Sequence, residues 1–516
     1  MTNARGDGSP LSGTTRSLLA STSAVALAAV FIVGVGLSPA MAAGPGFECV
    51  QDGGGDGGAN TSETTGTACG VNAVSYGENA TAVGYHSHAE GDNSTAVGTY
   101  SWTDGAGTTA VGASAEAIGT NATAVGHDAS ALGNGAIAVG PDSHAVGRGA
   151  IAVGDEASAD GNGAVAVGED ASADGWGAVA VGQDSSADGR GAAAFGDNAE
   201  AEGRGAVAVG EDAHAEGRGA TAMGLDAHAH GSGSVAVGED SHAHGRGAVA
   251  IGEDAHADGR GALALGEDAS ASAFGATAMG SDASASGRDA VAVGRDASAS
   301  GRRSVAIGNE ASASGVNATA LGEDATASAY GASAVGSGAT ASGVTSTAVG
   351  HNASAAPDGS AAFGSGATAT MAGQQVFGTA ANTYTMSGIT SGLSRDRQTG
   401  PLEVVTTDSA GNLASDGGLL FDRMSKLGGG IAIALALENP DLVAGERFGI
   451  AGNVGFWEGN VALGFTAMGV LGNNLVGQGE RWALSGGVGF TVKEDSYGGR
   501  SSQSSVGGRA GLQISW

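Results

Sequence analysis

Gly163-Ala-Val-Ala-Val-Gly-Glu-Asp-Ala-Ser-Ala-Asp-Gly-Trp176 is one turn of a repeat that sets the architecture of most of this 516-residue chain. Its central glycine, Gly168, belongs to a column that recurs every fourteenth residue from Gly84 to Gly364, twenty-one times without a slip, and includes Gly308. The residue before each of these glycines is apolar, from Val83 to Phe363, and the one before that is alanine, from Ala82 to Ala362. A weaker copy extends the frame to Gly70 and Gly378. A strict period of this length builds a stack of like coils rather than one globular core. Such regularity also argues against an enzyme, whose catalytic site needs local exceptions.

Each unit holds two short alternating segments, Ala164–Val167 and Ala171–Ala173, each closed by glycine. Short alternating runs bounded by glycine predict short strands joined by tight turns. Stacked in register they form a thin parallel β-solenoid, about 100 Å long for roughly twenty-two rungs at about 4.8 Å each. Val165 and Val167 point to one side of the first strand and Ala166 to the other. Both faces are apolar, and so thin a coil can enclose only one of them. The other then calls for lateral association of several rods, and the pattern leaves open which face is which.

Two turn columns carry charge. The second residue after the repeat glycine is acidic in fourteen of the fifteen coils from Asp128 to Asp324, with Asn198 the exception. A calcium ladder would need six to eight oxygens around each ion, and the Gly-Gly-x-Gly-x-Asp pattern is absent. The acids therefore read as Asx-turn residues bonding backbone amides, screened by solvent and by the column Arg148, Arg190, Arg204, Arg218, Arg246, Arg260, Arg288 and Arg302. His214, His228, His242 and His256 also stack at the period, with His230 and His244 beside them. Imidazoles are metal ligands, but acids such as Glu216 and Asp258 share the neighbouring column. These positions read as interchangeable surface sites, and neither metal nor cofactor is assigned. The Asn-x-Ser/Thr sequences at Asn79, Asn93, Asn121, Asn317 and Asn352 read as repeat composition.

Glycine supplies 98 residues and the formal charge is −32, with Lys426 and Lys493 the only lysines. Nucleic acid is a poor partner for so acidic a chain. At the N-terminus, Arg5 and Arg16 precede an apolar run from Leu18 to Leu37, then Pro39 and Ala40-Met41-Ala42. That order predicts an export signal over 1–42, cleaved near Ala42. Cys49 and Cys69, the only two cysteines, lie just beyond it in a glycine-rich segment, 43–69. One disulfide between them is expected of an exported chain.

The period ends at Gly378, and an irregular polar segment, 379–417, follows without a heptad seam. Residues 418–437 predict an apolar helix with Leu420, Met424, Leu427, Ile431 and Leu435 on one side. Four alternating segments come next, 447–457, 460–471, 481–492 and 505–516, each near the length of a tilted outer-membrane strand. Four strands cannot close a barrel, and lipid forbids open edges. Several chains must therefore contribute, with eight strands from two copies or twelve from three.

The chain resembles the YadA-like trimeric autotransporter adhesins. Arg303-Ser-Val-Ala-Ile-Gly308 is a close match to that family's head motif Asn-Ser-Val-Ala-Ile-Gly. Gly430-Ile-Ala-Ile-Ala-Leu-Ala-Leu437, Phe448-Gly-Ile-Ala-Gly-Asn-Val-Gly455 and Asn460-Val-Ala-Leu-Gly464 are similar to its membrane anchor. The resemblance implies an all-β protein with a left-handed parallel β-roll head over 70–378, trimeric. A neck would span 379–417. An anchor over 418–516 would contribute a helix and four strands to a twelve-stranded outer-membrane β-barrel. It also implies that Gly452 and Gly455 leave room for helices inside the barrel, and that Trp516 is the terminal aromatic read by the barrel-assembly machinery. Two family features are missing: a neck rich in Asp-Ala-Val-Asn-Val near Gly378–Gly388, and a heptad stalk.

The function that this resemblance implies is that of a surface-exposed homotrimeric adhesin, held in outer-membrane lipid. It would bind extracellular matrix, host cells or abiotic surfaces and promote autoagglutination. An ice-binding solenoid would need a flat threonine array; Thr81, Thr95, Thr109 and Thr123 begin one, but Ile137, Ile151, Val165 and Val179 replace it. A polysaccharide-active β-helix enzyme would need acids and bases that break the period on one face.

Overall fold

The structure is a computed structural model and describes residues 47–49, 59–61, 65–493 and 504–516. The expected export signal lies outside these residues. The chain folds as two units, Met1–Asn382 and Thr383–Trp516.

The first unit is the solenoid. Each coil carries a three-residue strand, such as Val165–Val167, and a two-residue strand, such as Ser172–Ala173. The longer strands form one parallel sheet of 24 from Phe47–Cys49 to Gln375–Phe377, and the shorter ones a second set of 23. Register is one repeat per rung: Ala166 pairs with Ala180 and Ala173 with Ala187. The turns are bonded between coils as well, as in Asp170 N–H to Asp155 O (2.9 Å) and Gly177 N–H to Asn162 O (3.0 Å). Thus nearly every backbone group of a coil is paired with the coil above or below, and a stack of such narrow turns needs no large core.

Alanine settles which face is interior. Ala164, Ala166, Ala171 and Ala173 are fully buried, whereas Val165 and Val167 are half-exposed. The coil interior is filled almost entirely by alanine methyl groups, and the branched side chains of the long strand stand on its outer face. At several places where serine or threonine replaces a core alanine, its hydroxyl donates to the carbonyl three residues back: Thr108 to Gly105 (2.7 Å), Ser234 to Gly231 (2.6 Å) and Ser304 to Gly301 (2.7 Å); the Ser94 and Ser346 hydroxyls are buried without such a bond. A buried hydroxyl is tolerated because that acceptor is built into each turn.

The stack starts earlier than the fourteen-residue frame. Phe47 pairs with Thr67 and Cys49 with Cys69, twenty residues apart, so 43–69 contributes strands to the same sheet. The expected disulfide needs its two backbones on neighbouring strands, and this register places them there. The side chain of Cys49 lies outside what is described.

In the second unit, part of the segment that reads as irregular forms an antiparallel hairpin, Val405–Thr407 with Leu413–Ser415. Asp408 closes it, accepting from the amides of Ala410 and Asn412 (both 2.9 Å) and from Asn412 Nδ2 (2.9 Å). Those bonds hold its carboxyl below the usual range, with the Asn412 side chain the largest cause. Helix α1 (Leu419–Ala436) follows, then four antiparallel strands in chain order: β1 (Phe448–Trp457), β2 (Asn460–Asn473), β3 (Arg481–Lys493) and β4 (Val506–Ser515).

Helix α1 lies against one face of this sheet with the side opposite to the one its leucines predict. Ser425, Gly428, Gly429, Ala432, Ile433 and Ala436 are buried, while Leu420, Met424, Leu427 and Leu435 are exposed. Small residues are buried because the sheet comes very close. A Cβ on Gly455 would overlap the Ala432 carbonyl oxygen, and one on Gly464 the Ala436 carbonyl oxygen. The residues just beyond the helix are tied down by strand side chains: Arg509 Nη1 donates to Leu437 O (2.5 Å) and Thr466 Oγ1 to Glu438 O (2.5 Å). Gly452 sits on the other face, where its Cβ would be 3.5 Å from the Phe465 ring. Strand alternation thus assigns the helix clearance to Gly455 and removes it from Gly452.

Candidate functional site

Four surfaces of the solenoid follow from its coil geometry. The exterior of the long-strand sheet carries one apolar column, from Val83 to Phe377, with Phe195, Met223, Ile251, Met279 and Ile307 exposed. Beside it runs a mixed column in which Ile137, Ile151 and valines share places with Thr81, Thr95, Thr109, Thr123, Thr221, Thr277, Thr319 and Thr347. The apolar column runs about 100 Å along the stack, an unusual surface for a monomer.

The turn after the long strand carries the acid column, and backbone conformation explains it. Asp128, Asp142, Glu156, Asp170, Asp184 and the corresponding residues through Asp324 have φ between 51 and 57°. That left-handed region admits Asn and Asp most readily after glycine. Asn72, Asn352 and Gly338 occupy the same column at φ 58, 52 and 67°. The Asx-turn expectation is therefore corrected: the column is selected for φ, and its side chains face solvent and one another. Glu156 illustrates the result, its carboxyl raised by neighbouring Asp170 first and then by Asp155 and Asp142.

The arginine column does not screen these acids, because it occupies the other turn of the coil. Arg190 stacks over Trp176 (4.7 Å) and Arg288 over Phe274 (5.1 Å). Arg288 also approaches Asp289 beside it (3.6 Å). The fourth surface, the exterior of the short-strand sheet, is polar. It presents Ser158, Ser172 and Ser186, then Glu200, then His214, His228, His242 and His256. Neighbouring rings of that ladder are 4.9 to 5.8 Å apart, and His230 and His244 lie alongside.

The repeat glycines hold the coils this close. Gly168 has φ +145°, and an added Cβ would overlap the carbonyl oxygen of Gly182 in the next coil; Gly84 and Gly308 meet Gly98 and Gly322 in the same way. By contrast, a Cβ on Gly163, at φ +69°, would meet nothing within 4 Å.

In the second unit, Phe448, Ile450, Val454, Phe456, Phe465, Leu484, Val488 and Phe490 project from the sheet face away from α1, and all are exposed. Strands β1 and β4 each pair on one side only. Trp516 follows β4 and is 86% exposed. Among the described residues no helix is long and apolar enough to cross a membrane.

The profile of the YadA head domain repeat, which spans two copies, matches eleven successive stretches from 62–87 and 89–115 to 341–367. These matches advance by about two coils each and cover more than half of the chain. Among solved structures, the collagen-binding domain of the Yersinia adhesin YadA is similar at 20% identity, over 44% of this chain and 86% of that one, with a TM-score of 0.15. No protein of curated function matches the sequence. With coil period, glycine turns and eleven successive matches in agreement, the chain belongs to the family of proteins built on YadA head domain repeats.

Proposed function

We propose that this chain is a trimeric autotransporter adhesin: an outer-membrane anchor at 418–516 that carries a repetitive adhesive head on the cell surface. The observation that supports this most is the second unit's four-stranded sheet. It is apolar on the face away from α1 and unpaired at both edges, and it holds a helix whose exposed side is a leucine stripe. Three copies supply twelve strands, which removes every edge. Three leucine stripes then face one another inside the ring, and the apolar outer faces meet lipid. The apolar strip of the head is likewise covered by its two neighbours. Trp516 ends the last strand, where assembly machinery would read it, and the segment 379–417 serves as the neck.

The head binds by repetition. Its polar short-strand face presents similar side chains at every rung, and many weak contacts on three chains add through effective concentration. The ligand class is a matrix protein, a host-cell surface or an abiotic surface. Removing two, four or eight coils in multiples of fourteen residues from 120–340 is expected to lower adhesion in steps, measured on cells displaying the full anchor over a panel of matrix proteins and plastics. A single two-coil deletion that abolishes adhesion, with every other deletion silent, would show one discrete site and overturn the repetitive mechanism.

A further inference from the structure

After Ser158, Ser172 and Ser186 the short-strand face changes character. At the column of Ser172 and Ser186, Glu200 and His214 follow one another, and in the column two residues on, Glu202 and Glu216 replace the aspartates of Asp160, Asp174 and Asp188. Glu200, Glu202 and His214 converge, their ligand atoms all within 4.8 Å of one another, and Glu216 lies beside His214. His214 Nε2 is 3.5 Å from Glu200 Oε2, 3.7 Å from Glu216 Oε1 and 3.9 Å from Glu202 Oε1. That nitrogen is buried and makes no hydrogen bond. A tetrahedral centre with bonds of about 2.1 Å has ligand-to-ligand edges of about 3.4 Å, close to the distances from His214 Nε2 to Glu200 and Glu202.

The surroundings complete the arrangement. The second oxygen of Glu216 lies 2.7 Å from His230 Nδ1, which holds Glu216 beside the cluster. His228 stacks against His230 with centroids 5.6 Å apart.

We propose that His214, Glu200 and Glu202 form a divalent transition-metal site on the outer face of the head. One imidazole and two carboxylates suit a borderline ion such as Zn²⁺. Two anionic ligands offset its two charges, and the half-exposed position leaves the ion open to a further ligand from outside. A metal held this way gives the head one specific contact point within an otherwise uniform surface.

The test uses the full-length chain and Zn²⁺ as the probe, with affinity read by competition against a zinc-binding chromophore at neutral pH. One saturable Zn²⁺ per chain is expected. The triple variant E200S/E202S/H214S is expected to bind roughly a hundredfold more weakly or worse. Its coils should still fold, because Ser270, Ser272, Ser284 and Ser286 fill the same columns farther along, and an unchanged thermal melt verifies this. Absence of one-to-one binding, an unchanged affinity in the triple variant, or loss of binding on H242S/H256S with the carboxylates intact would each overturn the assignment.

Discussion

Gly168→Val is expected to split the solenoid at one coil. The new Cβ would overlap the Gly182 carbonyl oxygen and lie 2.6 Å from its carbon, backbone atoms that no rotamer change can move. At φ +145° the residue also occupies a region open only to glycine. Relief requires the coils to part, which breaks the bonds from Gly168 N–H to Val153 O and from Gly182 N–H to Val167 O (both 2.9 Å). Strain and lost bonds together exceed about 4 kcal/mol, at the severe end for one substitution. Stability in a stack is carried by nearest neighbours. The variant should therefore melt in two steps and become sensitive to protease near residue 168, while the parent resists. Gly163→Asn is the matched control. Its φ of +69° suits asparagine and its Cβ is unobstructed, and Asn79, Asn93, Asn121 and Asn317 already stand in that column at φ 57 to 58°. It should melt within about 1 kcal/mol of the parent. Equal melts for the two variants would show that close approach of the coils is not what glycine provides.

Gly455→Val is expected to abolish assembly of the anchor. Its side chain would displace α1 from the sheet at Ala432 and Ala436, opening the cluster formed by Ala432, Ile433, Ala436, Leu437 and Ala462. Overpacking of this kind costs about 3 kcal/mol or more where backbone meets backbone. In a trimer the cost recurs in each chain. The yield of protein inserted in the outer membrane should fall at least tenfold, and Gly464→Val should behave alike. Gly452→Ala should insert normally, since its Cβ makes only ordinary contact with Phe465. Normal insertion of Gly455→Val would mean that the helix does not pack on this face.

Much of this architecture is legible in the residues, and the exceptions have physical causes. The fourteen-residue frame locates both strands of each coil, and alternation after residue 447 locates β1 to β4 to within about two residues. The interior face was not legible, because Val165 and Ala166 are both apolar. Leucine spacing in α1 marks an apolar side, but in one chain that side is the open one, and the buried side is recognisable only by Gly428, Gly429 and Ala432. The acid column resembled a charge pattern because φ is invisible in sequence. The Asp408 hairpin had a signal, a turn-forming Asp-Ser-Ala-Gly-Asn between Val405 and Leu413. Glu200 was the signal for the convergent acids, a glutamate directly after Ser158, Ser172 and Ser186 in its column. Its partners come from other coils and from a second column, so spacing along the chain does not join them.

The central claim is that three chains close one barrel and so carry three heads. Full-length chain expressed in a Gram-negative host, recovered from the outer-membrane fraction and run on a denaturing gel without boiling, should migrate as a trimer that collapses to monomer only after strong heating. A soluble product, or an outer-membrane protein that runs as monomer under mild conditions and resists crosslinking to trimer, would contradict it.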